Sequence, residues 1–139
     1  RKTDYKFDLE KFTNVSGKTG IYVQYAQVRA NKLIRSLGLS KKTFNESPIN
    51  LDLLDRNLII AMANIEFYLE LSIKKSEPHH LANYLYDISY AFNAFYQATN
   101  IKSIKDSNEK NQKVEIVRLF IQYSHLVMSC LGIKPVQKM

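Results

Sequence analysis

The chain has 139 residues, enough for one domain with a real core, and 45% hydrophobic with 24% charged residues excludes a disordered chain. A single cysteine, Cys130, excludes an intrachain disulfide and a cysteine-built metal cage, and suits a reducing cytosolic setting. The net charge of +7 is uneven: positions 15–45 hold six basic residues (Lys18, Arg29, Lys32, Arg35, Lys41, Lys42) and no acid, which fits either a polyanion-facing surface or a solvated lysine-rich face.

The chain opens RKTDYKFDLEK, too charged for a secretory hydrophobic region. It lacks a starting Met, so a piece of a longer protein is expected, with a short element around Asp8 to Phe12. The first helix is predicted from Thr19 to Leu37, closed by Gly38 in the left-handed C′ position. A loop with Ser47-Pro48 follows. The second helix is predicted from Leu51 to Lys74, with Asn50 as N-cap and Lys74-Lys75 at the negative end of its dipole. Its apolar positions Leu51, Leu54, Leu58, Met62, Ile65 and Leu69 recur at spacings of three and four.

A third helix is predicted to start at Pro78, with Leu81, Leu85, Ile88, Phe92 and Phe95 as its stripe. The polar stretch Ile101 to Asn111 reads as a loop. Asp106 with Glu109 makes a capping-box-like start for a fourth helix, whose face carries Val114, Val117, Ile121, Met128 and Leu131 before Gly132 and Pro135 end it. Strand-like alternation is absent over any useful length, and apolar runs such as Leu58 to Met62 are far too short for a bilayer. The expected fold is an all-α bundle of four main helices.

The first helix carries two stripes. Val23, Ala26, Ala30, Leu33 and Leu37 form a core face. One residue earlier in each case lie Tyr22, Tyr25, Arg29, Lys32 and Ser36, a second stripe turned by about 100° onto the flank. Rings followed by cations suit unstacked RNA bases and their phosphates. The same stripe also suits tyrosines packed on a neighbouring helix with cations reaching outward. Tyr84, Tyr86, Tyr90 and Tyr96 are expected to glue helices together.

Other signals carry less. Ser16-Gly17-Lys18-Thr19-Gly20 falls short of a phosphate-binding P-loop, because Phe12 stands where the motif needs glycine and no strand precedes it. It reads instead as a tight lead into the helix, with Lys18 able to meet phosphate. Glu77, His79 and His80 suggest metal ligands, but adjacent helical side chains diverge by about 100°, so a solvated or capping pair is expected. His125 reads as packed or partly exposed, and Cys130 as an inert core thiol. No catalytic constellation is expected.

The segment Gly17-Lys18-Thr19-Gly20-Ile21-Tyr22-Val23-Gln24-Tyr25-Ala26-Gln27-Val28-Arg29 resembles the arginyl-tRNA synthetase family's G-x-T-G-P-Y-L-Q-Y-A-x-x-R. Asp4 to Asp8, Glu77 to Asp87 (the P-H-x-L-x-x-Y-L segment), Ala91 to Tyr96, and Leu131 to Pro135 with a final Met139 are also similar, in order along the whole chain. Ile21 departs from the family's proline, which costs some pre-organisation of the helix start.

The resemblance implies a four-helix bundle of the class I synthetase anticodon-binding (DALR) type. It implies that positions 1–16 end a connection from a catalytic domain and 17–139 form the binding domain. Tyr22, Tyr25 and Arg29 match positions that contact anticodon-loop bases, and Met139 matches a C-terminal methionine beside them; Lys18 and Lys32 join them as phosphate-facing cations. The implied partners are arginine-acceptor tRNA and the chain's own catalytic domain, in a cytoplasmic monomer without membrane attachment. ATP belongs to that catalytic domain, and no cofactor or metal is expected here. The alternative is a helical protein-interaction domain using the same Tyr/Arg surface.

Overall fold

A computed structural model describes residues 18–38 and 50–139. Among the described residues five α-helices follow one another: α1 (Gly20–Ser36), α2 (Leu53–Ala63), α3 (Ile65–Lys75), α4 (His79–Ala98) and α5 (Ser107–Cys130). A 3₁₀ turn, Ile101–Ser103, precedes α5, and the described residues contain no strand. The element expected around Asp8 to Phe12 and the Ser47-Pro48 loop lie outside the described residues.

The central helix is α4, which packs against α1, α2, α3 and α5. Its expected stripe is buried: Ile88, Phe92 and Phe95 are fully covered, and Leu81 and Leu85 nearly so. Phe92 stacks on Phe120 of α5 at 4.2 Å between centroids and 6° between planes. Rings of that size dominate core energetics, at roughly 1.5–3 kcal/mol for each one fully buried. From α1, Val23, Ala26, Ala30 and Leu33 enter the same core, as their spacing predicts. Ser124 of α5 meets the buried Gln27 side chain there.

The second predicted helix is two. It breaks at Asn64, whose ψ of 6° leaves the helical range, between α2 and α3. Asn is a poor helix-interior residue. The fully buried Tyr84 donates its hydroxyl to the Met62 carbonyl at 2.9 Å, just before the break. Both halves still pack on α4.

The start of this helix also differs from the expectation. Asp52, not Asn50, is the N-cap: its carboxylate accepts from the backbone N–H groups of Leu54 and Asp55, and the Asp55 carboxylate accepts from Asp52 N–H in return. Asn50 instead donates its backbone N–H to the Gln112 side chain at 3.4 Å. The cause is Lys113 of α5. Its ammonium donates to Asp52 at 2.6 Å and to both Asp55 oxygens at 2.7 and 2.8 Å. Lys113 and Asp55 are both buried. The helix α5 starts at Ser107, as the Asp106–Glu109 pair predicts: the Asp106 cap accepts from Glu109 N–H at 2.7 Å, so the loop expected over Ile101 to Asn111 ends there.

Lys113 hydrogen bonding, with the cap bonds behind it, holds the Asp52 carboxyl below its ordinary value of 3.8. Burial pulls the Lys113 ammonium down, but its bonds to Asp52 and Asp55 outweigh that and leave it above its ordinary 10.5. A lowered carboxyl pKa adds stability above the unfolded value and loses it as pH falls through the folded one. A raised ammonium pKa adds stability below the unfolded value and loses it as pH rises through the folded one. Lys113→Ala should lower the unfolding free energy by about 3 kcal/mol in neutral urea titrations, because it strands a buried carboxylate. Wild type should lose more stability than this variant as pH falls below 3.8 and as it rises above 10.5.

Candidate nucleic-acid interface

Helix α1 presents the candidate surface because its start and rotation are fixed. Thr19 caps it, accepting from Tyr22 N–H at 3.2 Å, and Gly38 ends it at φ +64°, as expected. With the core stripe turned inward, Tyr22, Tyr25 and Arg29 lie half-buried on the flank, while Lys18 and Lys32 are exposed. The Arg29 guanidinium sits 4.2 Å from the Tyr25 ring centroid and 5.4 Å from that of Tyr96. It also donates to the Tyr25 hydroxyl at 2.9 Å and to the Asn93 side-chain oxygen at 3.3 Å. Arg29 is therefore held in place before any ligand arrives.

Toward the start of α1, Tyr22 meets Tyr86 of α4 at 5.3 Å, and Tyr86 stacks beside Tyr90 at 6.4 Å. The Lys18 ammonium lies 5.1 Å from the Tyr86 ring centroid. The result is two ring–cation clusters on the α1–α4 seam: Tyr22, Tyr86 and Tyr90 with Lys18, and Tyr25 and Tyr96 with Arg29. The expectation that the α4 tyrosines glue helices together holds for Tyr86, which meets Tyr22 of α1, and fails for the exposed Tyr90. Tyr84 is core and Tyr96 packs on Phe92, but Tyr86 is only half-buried and Tyr90 is 63% exposed. Tyr86 directly follows Leu85 of the core stripe, and Tyr90 lies one turn on. That offset is the sequence signal that would have placed both on a flank.

Met139 is exposed and joins the Lys18–Tyr86 end of the stripe. It lines a cavity of about 530 Å³ with Lys18, Ile21 and Tyr86, which Tyr25 and Arg29 do not line. The chain reaches that point by a reversal after α5. Gly132 at φ +70° and the bonds from Gly132 N–H to the Ser129 carbonyl and from Ile133 N–H to the Met128 carbonyl form a Schellman turn. The segment that follows lies along α1 and is bonded to Gln24. Gln24 matches the Q of the family motif, but no stripe or spacing gave it a role.

Two further features differ from expectation. Cys130 is exposed rather than core, because Val127 and Met128 take the inward positions of the last turn of α5. Glu77, His79 and His80 bring their ligand atoms within 4.8 Å of one another, so the two imidazoles do converge, on the Glu77 carboxylate, despite their adjacent positions. No helix among the described residues is long and apolar enough to cross a membrane.

Among the described residues, the chain is a helical bundle in which α1 buries one stripe and leaves a tyrosine–cation stripe beside it half-buried. The DALR anticodon binding domain family matches residues 23–139, and the chain belongs to that family. It is 34% identical over 145 residues to an arginine–tRNA ligase of Buchnera aphidicola subsp. Cinara cedri, covering 100% of this chain and 24% of the relative. To that of Klebsiella pneumoniae (strain 342) it is 30% identical over 141 residues, again 100% of this chain and 24% of the relative. The chain thus spans about a quarter of the length of these curated relatives. Its fold is similar to that of the arginyl-tRNA synthetase from Plasmodium falciparum, with TM-score 0.77, 26% identity, and coverage of 99% of this chain and 24% of that one. The Thermus thermophilus arginyl-tRNA synthetase shares the fold at TM-score 0.78 and 24% identity, covering 91% of this chain and 22% of that one.

The two kinds of tyrosine should separate experimentally. Tyr84→Phe removes a buried hydroxyl and strands the Met62 carbonyl, so it should cost about 1–2 kcal/mol in chemical denaturation. Tyr90→Ala, at an exposed position, should leave the unfolding midpoint nearly unchanged.

Proposed function

We propose that the chain is the tRNA anticodon-loop recognition module of an arginyl-tRNA synthetase. In the intact enzyme a catalytic domain would attach arginine to the tRNA with ATP. This chain's share is recognition. Tyr22 and Tyr25 offer rings to unpaired bases, Arg29 offers its guanidinium to a base edge or phosphate, and Lys18 and Lys32 meet the backbone. Met139 closes the Lys18–Tyr86 end. On the same reading the chain acts as a monomer in the cytoplasm, and ATP binds only to the catalytic domain.

The observation that carries this reading is the placement of Arg29. A guanidinium bonded to Tyr25 and Asn93 and lying on the half-buried Tyr25 ring is pre-organised on the α1 flank. Unpaired RNA bases are recognised by stacking on such rings and guanidinium planes. A packed interior would have covered the rings.

The test is a titration with an arginine-tRNA anticodon stem-loop against an unrelated stem-loop. The cognate loop should bind more tightly. Tyr25→Ala should weaken its binding about ten-fold, the loss of one stacked base, with little change in melting temperature. Lys32→Ala should weaken binding mildly and lower the log–log salt slope by about one, without loss of base discrimination. A Tyr25→Ala variant that unfolds readily yet binds RNA as well per folded molecule would show that recognition lies elsewhere.

A further inference from the structure

Gln24 is the one residue of the α1 flank whose side chain is spent on the end of the chain. Its Nε2 donates to the Lys134 carbonyl at 3.1 Å, and its Oε1 accepts from Val136 N–H at 3.0 Å. The two partners fix which way the carboxamide faces, since a carbonyl only accepts and an N–H only donates. They also lie two residues apart on the same edge of the tail. A side-chain amide that takes C=O of one residue and N–H of the next but one does what a neighbouring peptide group does beside an extended strand. Between them stands Pro135, which has no N–H to offer and holds its own φ fixed. The tail therefore meets α1 in one register.

The register matters because of what the tail carries. Ile133, Val136 and Met139 form one wall of the 530 Å³ cavity, facing Lys18, Ile21 and Tyr86. These three are exposed to between 38% and 57%, so little apolar burial holds them. The Schellman turn aims the tail only as far as Ile133. Beyond that point two hydrogen bonds to Gln24 join the tail backbone to α1.

We propose that Gln24 is a positioning residue: its carboxamide clamps residues 134–136 along α1 and so sets the tail wall of the cavity beside the Tyr22–Tyr86 rings for RNA. The inference rests on the proposed reading of this surface as an anticodon-loop site. Gln24 does not touch RNA; it acts through the tail. A shorter or purely apolar side chain at position 24 leaves α1 intact and the tail unregistered.

The experiment combines two readouts on the 139-residue chain. The first is hydrogen exchange of the Val136 amide without RNA. Gln24→Ala should speed it by about five-fold or more, the scale of a lost hydrogen bond, with the melting temperature unchanged. Gln24→Glu keeps the acceptor and loses the donor to Lys134, so it should fall between. The second readout is affinity for the arginine anticodon stem-loop in a cycle of Gln24→Ala with deletion of residues 133–139. Gln24→Ala should weaken binding about five-fold in the full chain, equally at low and high salt because the clamp is uncharged, and should have no further effect in the truncated one. Equal weakening in both backgrounds would overturn the positioning role, because Gln24 would then act without the tail. Unchanged Val136 exchange would overturn the clamp itself, and faster exchange with unchanged affinity would overturn its use in binding. A wild-type chain that binds no arginine stem-loop would instead overturn the proposed function, and the strap's purpose with it, whatever the exchange shows.

Discussion

The surface depends on how closely α1 lies on the bundle. Ala26 and Ala30 are fully buried, and their small side chains let the α1 backbone come close to α4 and α5. That approach fixes both the distance and the rotation of the helix. Once the alanines face inward, a side chain one position earlier is turned by about 100°. Tyr22 then reaches Tyr86 and Arg29 reaches Asn93, both across the α1–α4 seam. A larger residue at position 26 or 30 would lift the helix and separate both pairs at once. The flank is thus built by the core, not beside it.

The opposite side of the bundle is fixed by charge. Lys113 is surrounded by Asp52 and Asp55, so the start of α2 and the first turns of α5 are joined at a buried ion pair. Such a pair adds little net stability, because desolvating the ions offsets most of their attraction. Its effect is on register. Only one sliding position of α2 against α5 puts both carboxylates on the ammonium, and the same carboxylates cap α2. Since α4 packs against both helices, its rotation is constrained from this side by charge and from the other by the alanine contact.

This division explains how much was legible beforehand. Spacings of three and four gave the helices and most of the core, because burial of an apolar stripe is a local pattern. The helix ends at Gly38, Asp106 and Gly132 were equally local. What escaped depends on partners distant in sequence. Asn50 is as good a cap as Asp52 until Lys113, 61 residues on from Asp52, is brought near. The break at Asn64 coincides with the hydroxyl of Tyr84 on another helix. The same holds for the site. The flank stripe of α1 could be read from its one-residue offset, whereas Tyr86 and Tyr90 join it only when α1 lies against α4. Gln24 looks like any helical glutamine until Lys134, 110 residues on, returns to it. Composition and spacing alone left base stacking and helix packing both open for the tyrosines; the structure packs one side of Tyr22 on Tyr86 of α4 and leaves the ring half-buried.

Pre-organisation is what separates this flank from an ordinary basic face. A lysine on a solvated helix can reach phosphate, but it gives up rotamer freedom when it does. Arg29 has already lost most of that freedom to Tyr25 and Asn93, and two of the five guanidinium N–H groups are engaged there, leaving others for a ligand. The rings are likewise braced by each other: Tyr22 by Tyr86, and Tyr86 by Tyr90 and Lys18. A base that stacks on a braced ring needs no rearrangement of the protein, so more of the stacking energy is retained as affinity. Lys18, over the Tyr86 ring, and Lys32 are both exposed, and on the proposed reading they add long-range attraction that salt screens. Braced rings for bases and exposed cations for the backbone are different demands, and the α1–α4 seam offers both side by side.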